Sequence, residues 1–237
     1  MNHLTLNRPI VSIHQPAYLP WLGYIDRIRR SDLFIFLDTV QFQKNSFQNR
    51  NKVRMAKGWT WLTLPVESKG HREKQLRDIM IDNRSNWQRK HWATIAQNYS
   101  RAPYMEGLSA WLSPFYEKQW IYLGELCAEM LAAHLRAFGI ATPVWRASEM
   151  EAVESAKGDL VLKLCRQVGA GSYISGPLGR GYLDAGAFEA AGIQLVFDDY
   201  RHPVYQQVYP GFESHMAAID WLANVKRFAF GDEQEAD

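Results

Sequence analysis

Cysteine is scarce. The 237 residues hold two, Cys127 and Cys165, each inside an apolar helical pattern, with no CxxC and no histidine pair at zinc spacing. A disulfide framework and a structural zinc site are thereby excluded, and two buried thiols are expected. Long apolar runs are missing as well: no stretch approaches the roughly 20 residues that a bilayer demands. The opening MNHLTLNRP has neither the charged nor the apolar region of a signal peptide, so the sequence predicts a cytoplasmic protein with no membrane partner. Nor is there an excess of one charge, since 27 Lys and Arg face 25 Asp and Glu for a net +2. That global field holds neither bulk nucleic acid nor an anionic membrane, and leaves tRNA open only through a local patch. GxxxxGK, GxGxxG and HExxH do not occur, and no carboxylate cluster calls for a metal.

Aromatics are what the chain has in quantity: 9 Trp, 11 Tyr and 11 Phe, many beside polar residues. The mixture suits a pocket for sugars, bases or other flat polar ligands, and equally a plain core. Residues 9–14 (PIVSIH) read as a buried strand, 22–30 as a helix and 33–37 (LFIFL) as a second buried strand. In such a βαβ unit the right-handed crossover makes the strands parallel and brings the loops after them, with His14 and Asp38, to one edge. Alternation about Gly58 predicts a β-hairpin, and 76–81 (LRDIMI) reads as a short strand. Asn86 should cap a helix over 86–99, Pro103 should start another, and a longer helix over 121–138 should close at Gly139. Strands at 143–147, 172–175 and 193–197 then alternate with helices at 159–168 and 184–191, before a terminal helix at 214–223 and a disordered tail at 231–237. The fold class expected is α/β: a Rossmann-like parallel sheet with a β-hairpin and a helical insert at about 84–140, in one domain over 1–230.

Three stretches carry candidate chemistry. In HQPAYLPWLGY, residues 14–24, Pro16 and Pro20 stiffen the loop after the first strand by driving Gln15 and Leu19 towards extended backbone. Open parallel sheets bind ligands beyond the carboxyl ends of their strands, where His14, Gln15, Tyr18, Trp21 and Tyr24 would sit. His14 is then a base or a phosphate donor, or else a ring that pins the loop. The second stretch, residues 37–54, lies in a window with no acidic residue between Asp38 and Glu67. Lys44 and Arg50, with Gln41, Asn49 and Asn51, offer charge-assisted donors and amides of the kind a diphosphate needs; a solvated basic loop is the plainer alternative. In the third, YISGPLGRGYLD and YRHPVYQQ, three glycines and a proline let backbone approach a ligand at Ser175 and Gly176. Arg180, Tyr182, Asp184, His202, Tyr205 and Gln206 add the charge, hydroxyl, carboxylate and amide mixture of a sugar site, or of ordinary turn chemistry.

HQPAYLPWLGYIDRIRRSD, FLDTVQFQKNSFQNRNKV, WTWLTLPV, YISGPLGRGYLD and YRHPVYQQ together resemble the WbqC-like protein family, over Val11 to about Trp221. The resemblance implies bacterial origin and surface polysaccharide (O-antigen) biosynthesis, with some members described as glycine or amino-acid transferases acting on amino sugars. More distantly, the order of strand, proline-rich loop and LDTVQF is similar to the opening of the HxGH nucleotidyltransferases, pantothenate synthetase in particular. That similarity implies ATP, with magnesium, activating an acid as an acyl-adenylate that an amine then captures. Trp21-Leu22-Gly23-Tyr24 stands where HxGH would be.

The leading expectation is thus an amide-forming transferase joining an amino acid to a nucleotide-linked amino sugar. His14 or Asp38 would orient or deprotonate the amine, and Lys44 and Arg50 would neutralise phosphate. Its competitors are an aminoacyl-tRNA-dependent transferase and a nucleotide-sugar or glycan binding module without catalysis.

Overall fold

LFIF is apolar throughout and IVSIH is apolar but for Ser12 and His14, as expected of strands whose two faces are both covered. The structure, a computed structural model, describes residues 5–67, 69, 70 and 73–225; the tail expected at 231–237 lies outside them. Strand β1 (Ile10–His14) is hydrogen-bonded on both sides, to β2 (Leu33–Phe36) with Val11 opposite Leu33, and to β6 (Ser172–Ser175) with Val11 opposite Tyr173. β5 (Val144–Arg146) flanks β2 and β7 (Gln194–Phe197) flanks β6, giving the all-parallel order β5-β2-β1-β6-β7. A Rossmann-like α/β sheet and a separate antiparallel hairpin are therefore present, as the sequence predicts.

The chain divides into two compact units. The first takes residues up to Gln15, Asp26–Thr39 and Ala141–Arg201, and holds the parallel sheet; the second takes Pro16–Ile25, Val40–Ile140 and His202 onward. In the first unit, strand order runs outward from β1 to β2 and β5, then reverses across β1 to β6 and β7. Right-handed crossovers consequently put the end of α1 (Leu22–Arg29) on one face, and α6 (Lys157–Gln167) and α7 (Ala185–Ala190) on the other. Val11, Phe34, Ile35, Phe36, Ile174 and Phe188 fill this core. The end of α1 is pinned by polar contacts: the Ser31 hydroxyl bridges the Ser12 hydroxyl and the Arg27 carbonyl, 2.8 Å from each, and Thr142 donates to the Ile28 carbonyl at 3.0 Å.

The second unit contains the hairpin of β3 (Arg50–Arg54) and β4 (Trp59–Thr63), with Lys52 opposite Trp61 and a tight turn at Gly58, φ +69°. Helices α2 (Trp87–Tyr99), α3 (Met105–Leu112), α4 (Pro114–Glu117), α5 (Leu123–Ala137) and α8 (Ala218–Asn224) complete it. Its buried polar centre is Asp220, which accepts from Tyr99 Oη at 2.8 Å, Tyr205 Oη at 2.6 Å and Gln207 Nε2 at 2.8 Å. Arg54 joins the network, its backbone N–H donating to Tyr99 Oη and its Nε to Gln207 Oε1. So α2, β3 and α8 are tied through one carboxylate that keeps three donors out of water.

Four local expectations are corrected. Residues 76–81 are not a strand: Leu76–Asp78 form a 3-10 turn, and only isolated bridges at Met80 and Ile81 follow. Leu76 and Ile79 are both buried at a spacing of three, which a turn satisfies and one strand face does not. Asn86 precedes α2 in left-handed backbone, φ +50°, and its side chain makes no capping bond. The helix expected from Pro103 starts at Met105, and the terminal helix starts at Ala218, not 214.

Ile35 is fully buried between β1 and β5. Replacement by Ala should cost about 2–5 kcal/mol of unfolding free energy, read as a lower midpoint in urea.

Candidate functional site

Two neighbouring strands of the first unit end in the same way. β1 closes in His14-Gln15-Pro16 and β6 in Ser175-Gly176-Pro177. A proline has no N–H for the ladder and holds the residue before it extended, so each strand ends two residues before its proline. Ser12 lies opposite Ile174, and carrying that register on by two places sets Gly176 opposite His14. These strands are also the pair across which strand order reverses, where open α/β sheets receive ligands.

His14 is half-buried there, with Nδ1 2.8 Å from the Gln15 carbonyl. A carbonyl only accepts, so Nδ1 carries the proton and Nε2 the lone pair. Burial, and next the field of Arg27, lower its pKa from 6.5 to about 4, against the opposing pull of the Gln15 bond. The imidazole is therefore neutral at pH 7.

Arg27 escaped the sequence reading, since an arginine in a helix ending RIRR reads as solvated. Its side chain is only 8% exposed, its Nε lies 3.6 Å from Asp198, and its Nη atoms face Gly176. The signal that could have revealed it is the glycine: Gly176 has φ −67° and ψ 163°, which any residue adopts, so its missing side chain marks close approach.

The other first-unit candidates divide. Tyr182 is partly exposed; burial raises its hydroxyl pKa and the Arg27 charge counteracts this. Arg180 lies at the surface with its guanidinium 4.4 Å over the Phe197 ring. Asp38 is buried, and its two oxygens accept from Ser148 N–H at 3.0 Å and Ser148 Oγ at 2.7 Å, fastening the turn after β5. Asp184 caps α7 through Ala187 N–H. A shallow depression near Gly192 and Gln194 lies at the opposite, amino end of β7 and carries none of these groups.

In the second unit, Tyr18 is buried, its hydroxyl 2.8 Å from His91 Nδ1 and 3.0 Å from Tyr116 Oη. Leu19 departs from the extended backbone expected before Pro20: its φ is +50°, and its carbonyl is held by the Asn51 amide. A buried Leu19 side chain and that bond together maintain a conformation costly for a bulky residue. Trp21 packs against Phe47 and Tyr24, the latter buried. Asn49 donates to the Leu64 carbonyl, and Gln41 forms an isolated bridge with Gln75. Lys44 is exposed, and Arg50 stacks over Trp61 at 4.3 Å. His202 stacks on His215 at 4.7 Å. Tyr205 reaches Asp220, and the amide that joins it there is Gln207; Gln206 points to solvent.

The sequence profile of the WbqC-like protein family matches residues 15–230, from the end of this edge through both units. The chain belongs to the WbqC-like protein family. It is 35% identical over 217 residues to the uncharacterized protein Rv1507c of Mycobacterium tuberculosis, covering 91% of this chain and 93% of that one. No solved structure matches it significantly.

This WbqC-like chain does not present the donor set of an HxGH adenylylating site. Trp21 and Tyr24 stand at the two histidine positions, Tyr24 buried and Trp21 packed at a tilt against Phe47, so no imidazole stands there. Those residues do not fit ATP in that role, and no step below passes through it. Among the described residues no three His, Cys, Asp or Glu side chains cluster to hold a metal ion, and no helix is long and apolar enough to cross a membrane. Cys127 and Cys165 are buried free thiols, the latter pushed by burial up to about 12.

His91, His134 and His202 are lowered to about 4 like His14, in each case chiefly by burial. The unfolded chain binds these protons first, near the ordinary value of 6.5, so stability should fall as pH drops from about 6.5 towards 4 and level off below. The urea midpoint should track that window, and a His14→Gln variant, with one such group fewer, should lose less across it.

Proposed function

We propose that this protein forms an amide between an amino acid, glycine foremost, and the amino group of a nucleotide-linked sugar, in the assembly of bacterial surface polysaccharide. The supporting observation is His14: an imidazole with its tautomer set by Gln15, neutral at pH 7, at the reversal point of the sheet. The substrate amine attacks an activated acyl carbonyl in its neutral form, and the new C–N bond leaves a positive nitrogen in the tetrahedral intermediate. That nitrogen is strongly acidic, so even a weakly basic Nε2 takes its proton while the bond to the leaving group breaks. Orientation of the amine against the acyl carbon supplies the rest of the advantage.

A second reading, recognition of a nucleotide sugar or glycan without turnover, draws on the hairpin. There Arg50 lies 4.3 Å over Trp61 and Lys52 4.7 Å over Trp59, a surface that would stack a ring beside an anion.

The test supplies a nucleotide-linked amino sugar with amino acid, ATP and magnesium, or with aminoacyl-tRNA, and weighs the sugar product by mass spectrometry. An added aminoacyl group with one of the two donors is expected, and labelled pyrophosphate exchange into ATP identifies the adenylate route. His14→Ala should abolish turnover with the melting temperature kept. Binding without a mass change under either donor would establish the second reading, and full turnover in His14→Ala would remove the imidazole from the chemistry.

A further inference from the structure

We infer that Arg27 and Gly176 form a receptor for one oxyanion of the substrate, a phosphate or a carboxylate, at the sheet reversal beside His14. This extends the transferase reading, and the binding it describes is measurable without turnover.

Charge accounting near α1 motivates it. Asp26 takes Arg29 at 3.0 Å and Arg30 at 2.9 Å, and Arg30 also pairs with Asp198. Against the three guanidiniums of Arg27, Arg29 and Arg30 stand two carboxylates, and Arg27 is the one held loosely. Its Nε approaches Asp198 no nearer than 3.6 Å, and that buried nitrogen has no hydrogen-bond partner. An arginine retained only to pair with Asp198 would close to a two-pronged bond below 3 Å, because an incompletely paired buried cation is costly.

The guanidinium instead packs against the strand edge, with Cζ as well as both Nη atoms beside Gly176. A Cβ on Gly176 would stand 3.0 Å from Nη2 and 3.2 Å from Nη1. Glycine leaves that approach clear, and its backbone angles give no other reason for it. Planar and permanently charged, a guanidinium matches the oxygens of phosphate or carboxylate. An anion bound here brings the rest of its molecule against Nε2 of His14, the site of the proposed proton transfer.

Isothermal titration with sodium pyrophosphate, UDP, glycine and sodium acetate separates the two sources of oxyanion. Tighter binding of pyrophosphate and UDP identifies a nucleotide diphosphate, and tighter binding of glycine and acetate an amino-acid carboxylate. Gly176→Ala keeps every charge yet fills the approach, and should weaken the tighter class at least tenfold; Arg27→Gln should do likewise, and Arg27→Lys less. The same ligand should shift the His14 ring resonances in the wild-type protein and not in Gly176→Ala, a readout that loss of packing alone would not give. Should Arg27→Gln fail to fold, Gly176→Ala decides. No binding by any of the four probes, or affinity unchanged in Gly176→Ala, overturns the inference. Weakened binding in a protein without turnover would keep this receptor and discard the transferase; turnover with insensitive binding would do the reverse.

Discussion

Strand β1 is hydrogen-bonded along both sides, and both it and its neighbour β6 are halted by a proline two residues past their ends. Within β1, ladders on both sides take up the backbone, and Val11, Ser12 and Ile13 are buried. Just beyond it, the halted strands release backbone and side chains at a fixed place. His14 and Gly176 are the residues so released, and they emerge where strand order reverses. The sheet thereby fixes the place at which these two residues leave the ladder.

Electrostatics at this edge follow from the same geometry. Burial chiefly favours the neutral imidazole of His14, and the Arg27 cation near the end of α1 acts in the same direction. The end of α1 cannot drift, because Ser31, Ser12 and Thr142 bind its carbonyls and neighbours. Asp38, which shares the edge, is committed to Ser148 and so closes the turn after β5. One acidic residue near the edge is thus structural, and one basic residue reaches the gap.

Much of this frame is legible in the residues themselves. Apolar runs at 10–14 and 33–36 with a helix between them leave a parallel βαβ unit as the natural solution, and the alternation about Gly58 marks the hairpin. What escapes the sequence has identifiable causes. LRDIMI has strand-like composition, but burial of Leu76 with Ile79 selects a turn. Leu19 takes left-handed backbone because the Asn51 amide, distant in sequence, holds its carbonyl. Gln207 and not Gln206 reaches Asp220, a one-residue choice set by how the chain enters the network. Arg27 is hidden by its type: charge predicts exposure, and only the tertiary proximity of Gly176 shows otherwise. The paired HQP and SGP endings were both visible, yet nothing local says that the two strands are adjacent.

The most direct measurement is a crystal structure of the protein soaked with a nucleotide-linked amino sugar. Ordered ligand is expected at the carboxyl ends of β1 and β6, with a polar atom within hydrogen-bond reach of His14 Nε2. Ordered ligand bound elsewhere, with His14 untouched, would contradict that expectation.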